Sequence, residues 1–376
     1  MMWKIPFYRH DLGQPELDSV AHVLAGDILT TGDTVAVVEA KLCELTGRRH
    51  ALCVTSCTGA MHMALLALGV GPGDEVITTP MSFVATATAI IEAGATPVFV
   101  DVEPDTGNMD AERIEAAVTP RTKAILPVHL YGLMCDMARI REIAARHGLH
   151  VVEDAAHCVE GSRDSLRPGE ASAAACFSFY ATKNLTCGEG GAIVTDDTVL
   201  YERLKLLRLH GMTKMAADRH RFGYSHWDMA SMGWKYNLSN IDAALLLPQF
   251  DRLYANLERR HALARRYDDA LAGHPGLVLP ASRPGAVHAR HVYTVWIRNG
   301  MRDHVIQELT TERIGCVVNY RAIHLMTYFR ETFGYEPGRF PIAERIGDET
   351  VSIPFYPTMP PEHVDAVSEA LCRAVG

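Results

Sequence analysis

The chain has 376 residues, of which 48% are hydrophobic and 22% charged, with a net charge of −9. That length allows two or three domains with sizeable cores, and the composition excludes a disordered chain, a collagen-like fibre and a coiled coil. The negative balance argues against nucleic acid or an anionic membrane as a partner bound by bulk attraction, though a local basic patch could still take a phosphorylated ligand.

Hydrophobic periodicity predicts helices at 15–26 and 33–45. A strand (51–55), a helix (58–68), a strand (75–79), a helix (82–93) and a strand (97–102) follow. The pattern continues with a helix at 110–117, a strand at 124–128, a helix at 136–147 and a strand at 149–153. Strands at 174–180 and 191–195 precede a helix at 198–209. Short apolar strands alternating with helices predict a mainly parallel sheet buried on both faces. Ligands of such sheets sit at the carboxyl ends of the strands. From 212 to 235 the pattern breaks into Gly, Met, aromatic and His residues, a loop long enough to be functional. A helix at 241–271, with Pro248 inside it, then bridges to a smaller C-terminal α+β domain. That domain carries predicted strands at 292–297 and 317–320 and helices at 303–311 and 361–374. The expected division is 1–245 for the large domain and 246–376 for the bridging helix and small domain.

No apolar run is long enough to span a membrane, and residues 1–7 lack the apolar core of a signal peptide. Nine cysteines are scattered without a C-x-x-C pair. They read as reduced thiols, and the expected location is cytoplasmic. His288 and His291 form a close pair before a strand, but no further ligands stand at zinc spacing, so no metal is expected.

Three segments carry chemistry. In Val151-Val152-Glu153-Asp154-Ala155-Ala156-His157 a buried strand ends in an acid, a small-residue turn and a histidine. Such an aspartate can hold a ligand cation, or simply cap the next helix. In Phe177-Ser178-Phe179-Tyr180-Ala181-Thr182-Lys183-Asn184 a strand feeds a lysine toward the Gly-rich turn Gly188-Glu189-Gly190-Gly191. Desolvation lowers the pKa of such an amine and frees it for covalent catalysis, whereas most lysines are merely solvated. In Thr55-Ser56-Cys57-Thr58-Gly59-Ala60 a strand ends in hydroxyls and opens a helix. Free amides and the helix dipole there suit a phosphate; a plain Ser/Thr cap is the commoner use. Gly69, Gly71 and Gly73 precede a strand rather than open a helix, so they mark a turn and not a dinucleotide loop. A phosphate cradle, an acid for a pyridinium nitrogen and an activated lysine are together the protein parts required by pyridoxal 5′-phosphate (PLP).

These segments, in this order, resemble the DegT/StrS family of PLP-dependent sugar aminotransferases, of PLP fold type I. The resemblance extends through Gly233-Trp234-Lys235-Tyr236-Asn237-Leu238-Ser239-Asn240-Ile241, Arg313-Ile314-Gly315 to His324, and Ser352-Ile353-Pro354, essentially the whole chain. It implies that Lys183 forms the internal aldimine and shuttles the proton. It implies that Asp154 keeps the pyridine nitrogen protonated and that His157 lines the cofactor site. Phe83 takes the aromatic position stacked on the ring, and Thr58, Gly59 and Ser178 hold the phosphate. Asn237 reaches the same phosphate from a neighbouring subunit, which implies a homodimer with shared sites. Lys235, Tyr236 and His324 are the implied substrate contacts. Cys57 stands where the family often has Gly, and Ala181 where many members have Pro. Some relatives replace the lysine with histidine and act as dehydratases, so Lys183 argues for transamination.

The expected reaction moves an amino group from an amino acid, L-glutamate by resemblance, to a keto sugar. The stretch Val318-Asn319-Tyr320-Arg321-Ala322-Ile323-His324 resembles enzymes that aminate carbon 4 of UDP-sugars for envelope glycans. That points to a nucleotide-linked 4-keto-6-deoxy sugar. The alternatives are a cyclitol ketone, carbon 3 of a dTDP-sugar in antibiotic biosynthesis, or a PLP-binding regulator without turnover.

Overall fold

A computed structural model of the chain describes residues 3–214 and 226–376. Its central sheet is built from β1 (His50–Val54), β2 (Glu75–Thr78), β3 (Thr96–Phe99), β4 (Thr122–Leu126), β5 (His150–Asp154), β7 (Ala174–Ser178) and β8 (Gly191–Thr195). The strand order is β1-β8-β7-β5-β4-β2-β3. The five strands from β7 to β3 are parallel, and β8 runs antiparallel to β1 and β7. Small residues dominate where helices press closest: Ala174, Ala175 and Cys176 of β7 and Ala192 of β8 are fully buried.

Helices α1 (Gln14–Leu24), α2 (Asp33–Thr46), α3 (Cys57–Ala67), α4 (Ala85–Glu92), α5 (Met137–His147) and α6 (Thr198–Arg208) accompany this sheet. Helix α3 is apolar on nearly every side, as a helix enclosed by the core must be. Its buried residues run from Cys57 through Ala60, Met61, Met63, Ala64 and Leu65. The start of α3 sits directly on Gly191, where a Cβ would lie 2.5 Å from the carbonyl carbon of Ser56 and 2.6 Å from the amide nitrogen of Cys57. Only glycine lets the two backbones approach so closely.

Helix α7 (Asn240–Leu271) is 32 residues long. Ser239 caps it by accepting the Asp242 amide at 3.1 Å. Its first half contributes Ala243, Leu246 and Leu253 to a core with β7 and β8. Its second half contributes Leu263, Tyr267 and Leu271 to a separate core. That second core lies on a three-stranded antiparallel sheet, β12-β11-β9, of β9 (Leu277–Val278), β11 (Tyr293–Ile297) and β12 (Thr350–Ile353). Helices α8 (Arg302–Thr311) and α11 (Pro361–Val375) supply the rest, and Ile5 from the opposite end of the chain is buried among them. The division expected at 245/246 thus falls inside α7. A minor ladder pairs β6 (Ser162–Arg163) with β10 (Ala286–Val287).

Two sequence expectations fail locally. The segment 110–117 is a pair of 3-10 turns rather than a helix; eight residues give too little propagation to offset nucleation. The expected strand at 317–320 reduces to a bridge between Val317 and Ser352. The Asn319 carbonyl leaves the ladder and accepts from the hydroxyls of Tyr131 and Thr350 instead. The sequence reading also lacked α9 (Thr327–Phe333) and α10 (Pro341–Glu349). The loop expected at 212–235 lies partly outside the described residues. Among the described residues no helix is long and apolar enough to cross a membrane.

Candidate active site

The parallel strands end on one edge of the sheet, and a cavity of about 610 Å³ opens there. The turn after β1, the end of β5 and the turn after β7 meet at it. Of the residues expected from sequence, Thr58, Phe83, Asp154, His157, Ser178 and Lys183 all line it.

Asp154 lies at the buried end of β5. One carboxylate oxygen accepts the Thr86 hydroxyl at 2.7 Å; the other accepts the Ala156 amide at 3.1 Å and lies 3.9 Å from the Cys57 sulfur. Burial raises its pKa, opposed by those hydrogen bonds and by the charge of Lys183. Behind it, His129 accepts the Cys135 amide on Nδ1 and donates from Nε2 to Glu153 at 2.7 Å, both residues being wholly enclosed.

Lys183 faces the cavity, yet the protein around its amine strips away enough water to bring its pKa down to about 8. Asp154 and Cys57 act in the opposite direction and only partly offset this. Its Nζ lies 3.4 Å from Nε2 of His291. His157 accepts the Tyr131 amide on Nδ1 at 3.3 Å, which leaves the proton on Nε2, 3.1 Å from the Tyr320 hydroxyl. Its ring stacks on His291 at 4.5 Å. Burial, with Lys183 nearby, pushes both imidazoles well below the ordinary histidine pKa, so both are neutral. Phe83 is 57% exposed, an unusual state for a phenylalanine, and its ring tilts toward Tyr320 across the cavity mouth.

The residues fit PLP. A helix start presents amides without intrahelical partners, here those of Cys57 and Thr58, with Ser178 on the same cavity. Gly59 is a partial exception to the expectation: its amide donates to the capping Ser56 Oγ at 3.0 Å and it does not line the cavity. The buried acid, the activated amine and the exposed aromatic face complete the set.

Besides Gly59, four expected residues, Lys235, Tyr236, Asn237 and His324, stand outside this cavity. Asn237 donates to Thr31 Oγ1 at 2.7 Å and accepts from Lys235. It does not cap α7, since Ser239 does. The Tyr236 hydroxyl pairs with His62 at 3.3 Å, and its ring lies against Gly59. His324 is wholly buried, paired with Glu344 at 3.0 Å and edge-on to Phe340 at 4.8 Å. It does not line this cavity. Conversely, Thr86, His291 and Tyr320 line the cavity without having been singled out as site residues. They sit on other segments, and only the fold brings them in. Among the described residues no group of three or more His, Cys, Asp or Glu could hold a metal.

Residues 10–372 match the DegT/DnrJ/EryC1/StrS aminotransferase family. The chain belongs to that family. It is 41% identical over 373 residues to the spore coat polysaccharide biosynthesis protein SpsC of Bacillus subtilis, covering 98% of this chain and 96% of that one. The putative sugar aminotransferase Spr1654 of Streptococcus pneumoniae, in its PMP form, superposes with a TM-score of 0.94 at 30% identity, covering 99% of both chains. DesI, solved in the presence of its TDP-sugar product, gives 0.88 at 28% identity, covering 100% of this chain and 93% of that one. The chain is therefore a PLP-dependent sugar aminotransferase of fold type I.

Proposed function

We propose that the enzyme transfers an amino group from L-glutamate to a nucleotide-linked 4-keto-6-deoxy sugar destined for a cell-envelope polysaccharide, as a cytoplasmic homodimer. The observation that carries this reading is the pairing of Lys183 and Asp154 on one wall of a cavity roomy enough for a sugar. The likeness to SpsC supports the polysaccharide setting, and DesI the nucleotide sugar.

PLP, when bound, supplies an electron sink that stabilises negative charge on the carbon losing or gaining the amine. In this reading Lys183 would hold the cofactor covalently, and its Nζ would accept and return the proton moved in each half-reaction. Asp154 keeps a proton on the pyridine nitrogen. The Thr58 and Ser178 hydroxyls and the first amides of α3 bind the phosphate at the positive end of the helix dipole. Phe83 stacks on the ring, and His157, held neutral between Tyr131 and Tyr320, shapes the pocket without adding charge. Asn237 serves the partner's phosphate.

Purified enzyme is expected to lose its visible cofactor band on adding glutamate, and to regain it with a 4-keto-6-deoxy nucleotide sugar from a panel that also holds 3-keto sugars and cyclitol ketones. Recovery with only the latter two would move the substrate assignment; no bleaching by glutamate would remove the donor. The shared site has its own test. Mixing inactive Lys183→Ala and Asn237→Ala proteins creates heterodimers in which one site carries both lesions and the other neither. Activity is expected to return on mixing. Its failure to return, with heterodimers verified, would place Asn237 outside the partner's site.

A further inference from the structure

A second, small chamber of about 20 Å³ also borders Lys183. It is lined by Tyr8, Asp11, Lys183, Asn256, Arg260 and His291, among others. Its size suits a single water, which needs roughly 10–15 Å³ and two to four polar partners. His291, with Thr182 and Lys183, lines the chamber and the main cavity alike. It is 7% exposed. Its amide donates to the Tyr131 carbonyl at 3.1 Å, and its ring stacks on His157, so the imidazole is fixed in place. Its Nε2 meets Lys183 Nζ at 3.4 Å, while its Nδ1 is buried with no protein partner. A buried polar nitrogen without a partner is costly. A water in the chamber would satisfy it, accepting the Nδ1 proton and leaving the Nε2 lone pair free for the lysine. Arg260, at the chamber wall, is itself neutralised by Glu160, which also accepts from Asn184 at 2.6 Å.

We propose that His291 is a positioning residue for Lys183: whenever the lysine is free of cofactor, the neutral imidazole accepts a hydrogen bond from its Nζ and tethers the amine between the cofactor cavity and the small chamber. This rests on Lys183 being the lysine that holds the cofactor. The tether stabilises the charged amine, so it also sets the pH at which Lys183 becomes nucleophilic. The other groups that face this amine are Asp154, Cys57 and His157, and those that face His291 are His157 and Arg260. None of them donates to or accepts from Nζ in its place.

The test uses protein stripped of cofactor, to which PLP is added at pH 6.5–9.5 while the rate of covalent capture is followed as growth of the visible band. Capture needs the neutral amine, so the rate should rise through a midpoint near 8 in the natural protein. In His291→Leu the ammonium loses its acceptor, and the midpoint is expected to fall by about one pH unit. His291→Gln retains an acceptor and should stay within about 0.3 unit of the natural midpoint. Binding of pyridoxamine phosphate, which forms no link to lysine, should remain within about two-fold for both variants. An unmoved midpoint in His291→Leu, equal shifts in the two variants, or a matching loss of pyridoxamine phosphate binding would overturn the proposal. Lys183→Ala run in parallel should show no capture. If it still develops the band, the Lys183 assignment has failed and the tether with it.

Discussion

Lys183→Ala protein is expected to fold and to bind PLP without a covalent link, and to lose at least ~1,000-fold in turnover. The physical case rests on where the amine sits. A lysine in water is almost wholly charged at neutral pH and is a poor nucleophile. Here the surrounding protein brings its pKa down to about 8, so an appreciable fraction is neutral near physiological pH. Among the described residues of the chain no other lysine lines the cavity, so no neighbour within the chain stands ready to take over the link or the proton transfer. The loss should appear in both half-reactions, because the same amine moves the proton in each direction. Absorbance spectra before and after desalting, together with single-turnover rates, check this. A variant that retains a desalting-resistant visible band would overturn the role.

Asp154→Asn is expected to cost roughly 100- to 1,000-fold in each half-reaction, the size found when one preorganised electrostatic contact is removed. Asparagine keeps the shape, its oxygen able to accept the Ala156 amide and its NH2 able to donate to the Thr86 hydroxyl, but it cannot hold a proton on the pyridine nitrogen. The effect on stability should have the opposite sign. Burial raises the Asp154 pKa above its ordinary value, so the folded state holds its proton to higher pH than the unfolded state. Between those two pKa values stability falls as pH rises, and above both the buried charge remains a net cost. The cofactor-free Asn variant should therefore melt no lower than the natural protein at pH 8. Near-natural turnover would remove Asp154 from the mechanism. A large fall in melting temperature would make the rate loss a folding defect.

The sheet and the three strand-end segments were legible in the sequence because each is local. An apolar run followed by small or hydroxyl residues announces a buried strand and its functional turn within about ten positions. Asp154, Lys183 and Thr58 all belong to such segments, and the parallel topology brings their ends together. What the sequence hid is contact between distant segments. His291 lies 108 positions from Lys183, and Tyr320 lies 163 positions from His157. The pair His288 and His291 drew attention only as a possible metal pair, because spacing says nothing of which wall a side chain will join. His324, a substrate contact only by family resemblance, is buried against Glu344, a pairing that depends on α10, a helix the local pattern did not announce. The turns at 110–117 show the limit of periodicity for short segments, where tertiary contacts decide between helix forms.

The reaction depends on one residue holding the cofactor, and one measurement reaches it without relying on a variant. Holoenzyme is reduced with borohydride, digested, and its peptides mapped by mass spectrometry. The pyridoxyl mass is expected on the peptide containing Lys183 and nowhere else, with pre-treatment by glutamate preventing its appearance. The same mass on any other lysine would contradict the account.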